Sequence, residues 1–330
     1  MKLLVGLIIS AVCLYLALAG VDLARAWETL RAIRWAWLIP AGLTGVVILW
    51  LKAMRWRRLL LPLWTYPRRR ALEAYAVGQL ANYLLPMRAG ELVRVLVIAR
   101  GPGGPTRSAA LASVVSERVV DVATLLLLAL FAMALFPTPA WVDYACWVML
   151  AVVTAALGLV VVLHRGRRRV AALAAGAERL LPRGWRGRLA EMITAFTEGF
   201  APLGSAGQYG WFLLETAAIW VLQTLVVYFV FLAFDLTTGH HLGALAAMVT
   251  VVIVSLGAAV PSSPGMVGTF HLAVVVALGL CGVDKDTALS YAVILHLVGV
   301  VVTYGTGLGA LKSAGLGAGF LKGAGREPGV

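Results

Sequence analysis

Charge is what this sequence has least of. Asp and Glu together number 15 in 330 residues against 28 Lys and Arg, and charged residues make up 13% of the chain, about half the share usual in a soluble domain. With 61% hydrophobic residues and a mean hydropathy of +0.91, there is too little polar surface to cover a water-soluble globule. Cysteine is scarce as well. Cys13, Cys146 and Cys281 form an odd set in apolar surroundings without paired spacing, which argues against a disulfide framework or a zinc site and leaves them as small apolar residues. No nucleotide-binding P-loop is present, so any transport is passive or driven by an ion gradient. His240 and His241 follow Asp235 at a spacing too unspecific to define a metal site. No cofactor and no metal is expected.

What the chain has instead is long apolar runs. A bilayer core takes roughly 20 apolar residues per helix, and such runs lie at about 3–20, 35–54, 117–136, 142–163, 211–234 and 287–311. Two further runs, 71–100 and 243–281, are each interrupted by Pro and Gly. Continuous runs suit helices, whereas barrel strands alternate with period two. The expected fold is all-α: a polytopic transmembrane helical bundle with two Pro/Gly-broken helical regions, which the sequence leaves open as re-entrant or fully spanning.

The net charge of +13 does not point to nucleic acid, because the basic residues collect in short loops between apolar runs. One cluster runs from Lys52 and Arg55 through Arg57 and Arg58 to Arg68, Arg69 and Arg70; the other from Arg165 to Arg188. The positive-inside rule places both in the cytoplasm. Counting spans then puts both termini inside, in the cell inner (cytoplasmic) membrane. Arg55 itself reads as a residue snorkelling to the inner interface. The first run, ending in Ala17-Leu18-Ala19, shares features with a cleavable signal peptide; at 18 residues it is long for one, and it reads as a retained anchor. The organisation that follows is a first membrane half, 1–163, holding broken region 71–100; a basic cytoplasmic loop and interfacial helix, 164–208; a second membrane half, 209–312, holding broken region 243–281; and a flexible cytoplasmic tail, 313–330. Paired broken segments in corresponding halves point to a transport site near the midplane. Their plain alternative is loops between short helices.

Two stretches concentrate the charge. In "NYLLPMRAGELVR", residues 82–94, Arg88, Glu91 and Arg94 step by three beyond Pro86, so a helix restarting there sets them in neighbouring rows. In "SERVVD", the uncharged run from Val122 to Phe136 has 15 residues, or about 22 Å, short of a hydrocarbon core of about 30 Å. The span therefore reaches back and takes Glu117, Arg118 and Asp121 to its inner boundary, where unpaired charge is costly. The three cations and three anions balance. Glu91, Glu117 and Asp121 hold the arginines while a guanidinium forks onto a phosphate, or the six close into a network that only locks helices. In the second broken region, "PSSPGMVG" at 261–268, Pro261, Pro264, Gly265 and Gly268 free backbone groups that must face protein or water. A helix restarting near Gly265 aims amide N–H groups at the break, which suits an anion. His271 lies one turn on and His296 in the last run, near Tyr291; each is a functional candidate or a hydrogen-bonded packing residue.

On Asn82, Pro86, Arg88, Gly90, Glu91 and Arg94, on Glu117, Arg118 and Asp121, and on Pro261, Pro264, Gly265 and Gly268, the sequence resembles the lysylphosphatidylglycerol synthase transmembrane-region family, also called flippase-like domain proteins. The resemblance covers nearly the whole chain, in order. It implies movement of a lipid with an anionic or modified head group across the bilayer, or the membrane half of an aminoacyl-phospholipid synthase. Where this chain has His271 the family commonly has an acidic residue, which bears on head-group preference. Relatives that aminoacylate lipid carry a soluble acyltransferase-like domain, and none is expected here. The reading is a lipid translocase for a phosphate-bearing lipid such as a phospholipid or polyprenyl-phosphate carrier. Its head-group site would involve Asn82, Arg88, Glu91, Arg94, Glu117, Arg118, Asp121, Pro264, Gly265, Gly268 and His271. The alternatives are a lipid-modifying enzyme and a scaffold for lipid or cell-envelope synthesis. Expected partners are membrane lipids with anionic head groups and a lipid- or glycan-synthesis enzyme, with no nucleic acid.

Overall fold

The computed structural model describes residues 2–61, 67–85, 89–100, 104–135, isolated positions between 144 and 155, 206–258, 260 and 262–316. The expected basic loop, most of the expected span at 142–163, and Pro86, Arg88 and Pro261 lie outside these residues. Among the described residues the regular structure is helical throughout: α1 Lys2–Leu18, α2 Leu23–Ala32, α3 Leu38–Leu60, α4 Arg68–Leu84, α5 Gly90–Ala99, α6 Arg107–Leu135, α7 Ala206–Ala233, α8 Ala244–Gly257, α9 Thr269–Leu280 and α10 Lys285–Ser313. Among the described residues four stretches are long and apolar enough to cross a bilayer, namely Trp35–Leu60, Arg107–Leu135, Gly207–Ala233 and Lys285–Ser313. The third apolar run was expected to begin near 117; its helix starts ten residues earlier, at Arg107, so Glu117, Arg118 and Asp121 sit well inside it.

The first apolar helix, α1, ends in a device the apolar count passes over. After α1 the chain turns through 83° into α2. Gly20 takes the corner at φ +75°, and the Asp22 carboxylate caps α2 by accepting from the Ala24 and Arg25 amides. Lys285 donates to the carbonyls of Leu16, at 2.9 Å, and Ala19, satisfying groups a helix end leaves open. With Leu23 and Trp27 exposed on one side and charge on the other, α2 has the character of a helix lying in a membrane interface.

The bundle has two chemically distinct ends. At one, Arg34 pairs with Asp235 at 3.4 Å and α10 begins beside α1 and α2. At the other, Arg58 grips both carboxylate oxygens of Glu215 at 2.9 Å, Arg69 donates to the Ser313 carbonyl, and Arg70 and Arg100 share a recess. The second is the basic end. One apolar core, around Trp220, Phe231 and Tyr291, fills the far half; another, around Trp56, Tyr75 and Leu80, fills the basic half.

The two broken regions are hairpins of opposite orientation. The α4–α5 hairpin starts at the basic end with Arg68 and returns there at Arg100, beside Arg70 and Ser313. The α8–α9 hairpin starts after Asp235 and returns to the same far end, where α10 begins. With 10, 14 and 12 residues, α5, α8 and α9 extend only about 15–21 Å, too short to cross a core of about 30 Å. Their tips meet inside the bundle, where Gly265 lies against Tyr83.

Glycine is required at these tips for two different reasons. Gly268 has φ +93°, and a Cβ there would stand 2.2 Å from the Ser10 carbonyl oxygen; the Ser10 hydroxyl also accepts from the Ser263 amide at 2.7 Å, so α1 seals this tip. Gly265 has φ +70° but nothing nearer than 3.8 Å to an added Cβ. Only conformational strain opposes a side chain there, so Gly265→Ala is expected to cost about 1–2 kcal/mol. A chemical or thermal melt of the purified variant checks this; an unfolded protein would show that the tip is more crowded than its geometry indicates.

Candidate functional site

The charges foreseen on α5 and α6 do converge, and α3 joins them. Arg55 is fully buried, with one guanidinium nitrogen 3.0 Å from Glu117 and 2.6 Å from Asp121 and the other donating to Thr216 Oγ1 at 3.2 Å. Arg94, 2% exposed, lies 2.7 Å from both Glu91 and Glu117. Arg118 stands at the rim, 3.4 Å from Asp121 and 3.9 Å from Glu91. Three arginines face three carboxylates, so the cluster is neutral and its pairs compensate the removal of each charge from water.

Aromatic rings fix the geometry. The Arg94 guanidinium is 4.9 Å from the Trp56 ring and 5.0 Å from the Tyr75 ring, close enough for each face to attract the cation. Trp56 is in turn held by its indole N–H donating to Ser113 at 2.9 Å. Arg55, expected to snorkel, therefore does the reverse: it sits at the hub of the network because two carboxylates of α6 meet it there. The residues that sequence reasoning missed were visible as anomalies. Lys52 and Arg55 are one helical turn apart, so one face of α3 turns charge inward, and Glu215 interrupts the otherwise uncharged apolar run of α7.

A cavity of about 280 Å³ lies among α3, α4, α7, α8, α9 and α10. Its polar lining includes Lys52, Gln79, Tyr83, Gln223, Ser255 and His296. Tyr75, against Arg94, forms part of the wall on the network side; on the hairpin side His296 is hydrogen-bonded to the Gly265 backbone and its ring centroid lies 5.0 Å from those of His271 and Phe270.

The structure thus sorts the expected site residues into two groups with the cavity between them. Glu91, Arg94, Glu117, Arg118 and Asp121 form one; Pro264, Gly265, Gly268 and His271 belong to the other. Asn82 binds Gln79 through its amide at 3.2 Å and packs on Gly90. Arg88 lies outside the described residues. The helix after the second break starts at Thr269 rather than near Gly265, and Gly268 packs on α1 instead of lining the cavity. Among the described residues no cluster of three or more His, Cys, Asp or Glu is arranged for a metal.

Comparison with known proteins accords with this architecture. The family profile described as "Lysylphosphatidylglycerol synthase TM region" matches residues 3–307. A curated relative, glycosyltransferase AglD of Haloferax volcanii, is 26% identical over 336 residues, covering 93% of this chain and 54% of its own length. The chain spans about half of that relative. No solved structure matches it.

Proposed function

Because this chain belongs to the lysylphosphatidylglycerol synthase TM region family, and so is a multi-pass membrane protein of a lipid-related family, we propose that it moves a phosphate-bearing lipid between leaflets. The observation that carries the reading is the cavity. A chamber that sets a handful of polar side chains in a mainly apolar lining lies within the bundle at the meeting point of two hairpins, one from each end. Irregular backbone at membrane depth is tolerated where it lines protein or a polar cavity, and broken helices from opposite sides are a recurring way to build a site that either face can reach. The lipid's chains stay in the bilayer while its head group passes through the chamber. With the basic end in the cytoplasm, by the positive-inside rule, both termini lie on that side of the inner membrane.

The direct test uses purified full chain in proteoliposomes with head-group-labelled lipids, phospholipids and polyprenyl phosphates in separate arms. Leaflet exchange faster than in protein-free vesicles is the expected result. A label confined to its starting leaflet in every arm would overturn the reading in favour of a scaffold. The relative's printed name, a glycosyltransferase, adds one arm: incubation with a sugar donor and analysis of the lipid product, where a new glycosylated lipid would favour an enzyme.

A further inference from the structure

We infer that Lys52, rather than any arginine of the buried network, is the group that meets the negative charge of a lipid phosphate in the cavity, and that the preferred head group is a phosphodiester with one negative charge. The inference rests on the translocation reading of the same chamber and names its ligand.

None of the network's three arginines lines the chamber, and its two buried ones are closed to a ligand. Arg55 is fully buried and spends its guanidinium on Glu117, Asp121 and Thr216. Arg94 is buried between two aromatic rings and paired with two carboxylates. Six charges cancel, and a phosphate reaching either buried arginine would have to displace a carboxylate from it.

Lys52 is a seventh charge set beside that balance, in the field of Asp121 and Glu117 but in no ion pair with either. It lies one turn from Arg55 on α3, about 12 Å along the helix from Leu60, and is among the residues that line the chamber. Its hydrogen-bond partner is neutral: Gln223 Oε1, at a long 3.4 Å. Among the described residues no carboxylate comes within ion-pairing distance of it, because Glu117 and Asp121 are taken by Arg55, Arg94 and Arg118. A cation at this depth with no carboxylate at ion-pairing distance is costly, and such residues mark substrate pathways. The rest of the polar wall, including Gln79, Gln223, Ser255 and Tyr83, is neutral and able to hydrogen-bond phosphate oxygens or a hydroxylated substituent. One surplus positive charge calls for one negative charge. A chamber of about 280 Å³ has room for a phosphate with a small polar substituent.

The test uses the full chain in detergent, titrated with short-chain phosphatidylglycerol, a singly charged phosphodiester, and with short-chain phosphatidylcholine, whose phosphate brings its own cation. Binding affinity and melting temperature are read for the wild type, Lys52→Met, Lys52→Arg and, as a control for interfacial basic residues, Arg68→Gln. Phosphatidylglycerol is expected to bind the wild type more tightly and to raise its melting temperature more than phosphatidylcholine does. Lys52→Met should weaken that binding about tenfold or more, as loss of a charge-assisted hydrogen bond does, while the lipid-free protein melts at the wild-type temperature or above it. Lys52→Arg should keep the preference, and Arg68→Gln should bind as the wild type.

A Lys52→Met protein that melts lower without lipid yet keeps the preference would make Lys52 a structural member of the network and overturn the inference. Equal binding of the two lipids by the wild type would overturn it too. The two readings fail separately. Lys52-dependent binding without leaflet exchange removes translocation and leaves the site; exchange at the wild-type rate in Lys52→Met, with unchanged binding, removes the site and leaves translocation.

Discussion

Glu117→Gln is expected to lower the stability of this protein by about 3–5 kcal/mol, the usual cost of breaking a buried ion pair from one side. The side chain is fully buried, and it is the carboxylate that Arg55 and Arg94 share, at 3.0 and 2.7 Å. A glutamine keeps the shape but turns a neutral cluster into one with a surplus positive charge. Its NH₂ group, moreover, would face guanidinium donors that it cannot accept from. Removing Arg55 and Glu117 together, as Arg55→Met with Glu117→Leu, takes away one charge of each sign and should cost less than the two single changes added, a coupling that a double-mutant cycle measures. Thermal unfolding in detergent is the readout. If Glu117→Gln melted as the wild type while lipid exchange was lost, the carboxylate would be part of the lipid's path rather than the lock of the bundle.

Gly90→Ala is expected to be comparably damaging, though it adds one methyl group. A Cβ at Gly90 would stand 2.0 Å from the Gly78 carbonyl oxygen and 2.5 Å from the Asn82 amide nitrogen, so backbone itself must move. The return arm of the first hairpin can no longer close on α4, and Arg94, whose Cβ would lie 2.7 Å from one added at Gly78, loses its seat between Trp56 and Tyr75. A loss of about 3 kcal/mol or more follows, at the upper end of overpacking effects. Gly210, with nothing within 4 Å of an added Cβ, is the matched control: Gly210→Ala should melt as the wild type or slightly higher, alanine being the better helix former. Folded yield and melting temperature of the three proteins decide the matter. A stable Gly90→Ala variant would mean that the hairpin is not packed as tightly as its backbone implies.

The helical fold could be read from composition because membrane spans announce themselves by length and hydropathy, and the apolar runs at 35–54, 211–234 and 287–311 fall on the helical stretches Trp35–Leu60, Gly207–Ala233 and Lys285–Ser313. The two broken regions were legible as breaks. Their character as hairpins was not, since whether a chain returns to its own side depends on how far each arm reaches and on what it packs against, such as Gly268 on Ser10. Glu91, Arg94, Glu117, Arg118 and Asp121 were legible as a group because charge in an apolar stretch is expensive and seeks a partner. Arg55 and Lys52 were misleading for a physical reason: a basic residue near the end of a span looks the same in sequence whether its side chain reaches outward to the interface or inward to a buried carboxylate. Only the rotation of α3 about its own axis distinguishes the two. The helix α2 went unseen because its apolar and polar residues average out along the sequence while separating around the helix.

The opposed hairpins also divide the membrane electrically. A chamber between their tips places a bound charge partway through the field, so an inside-negative potential acts on it in two steps rather than one. The full drop is worth about 2.3 kcal/mol per 100 mV for one elementary charge. If the basic end faces the cytoplasm, as proposed above, an anionic head group travelling outward would be pushed along both steps and one travelling inward opposed on both. On the proposed translocation reading, a lipid carrying one uncompensated negative charge would thus have its direction of net movement biased by the voltage across the membrane.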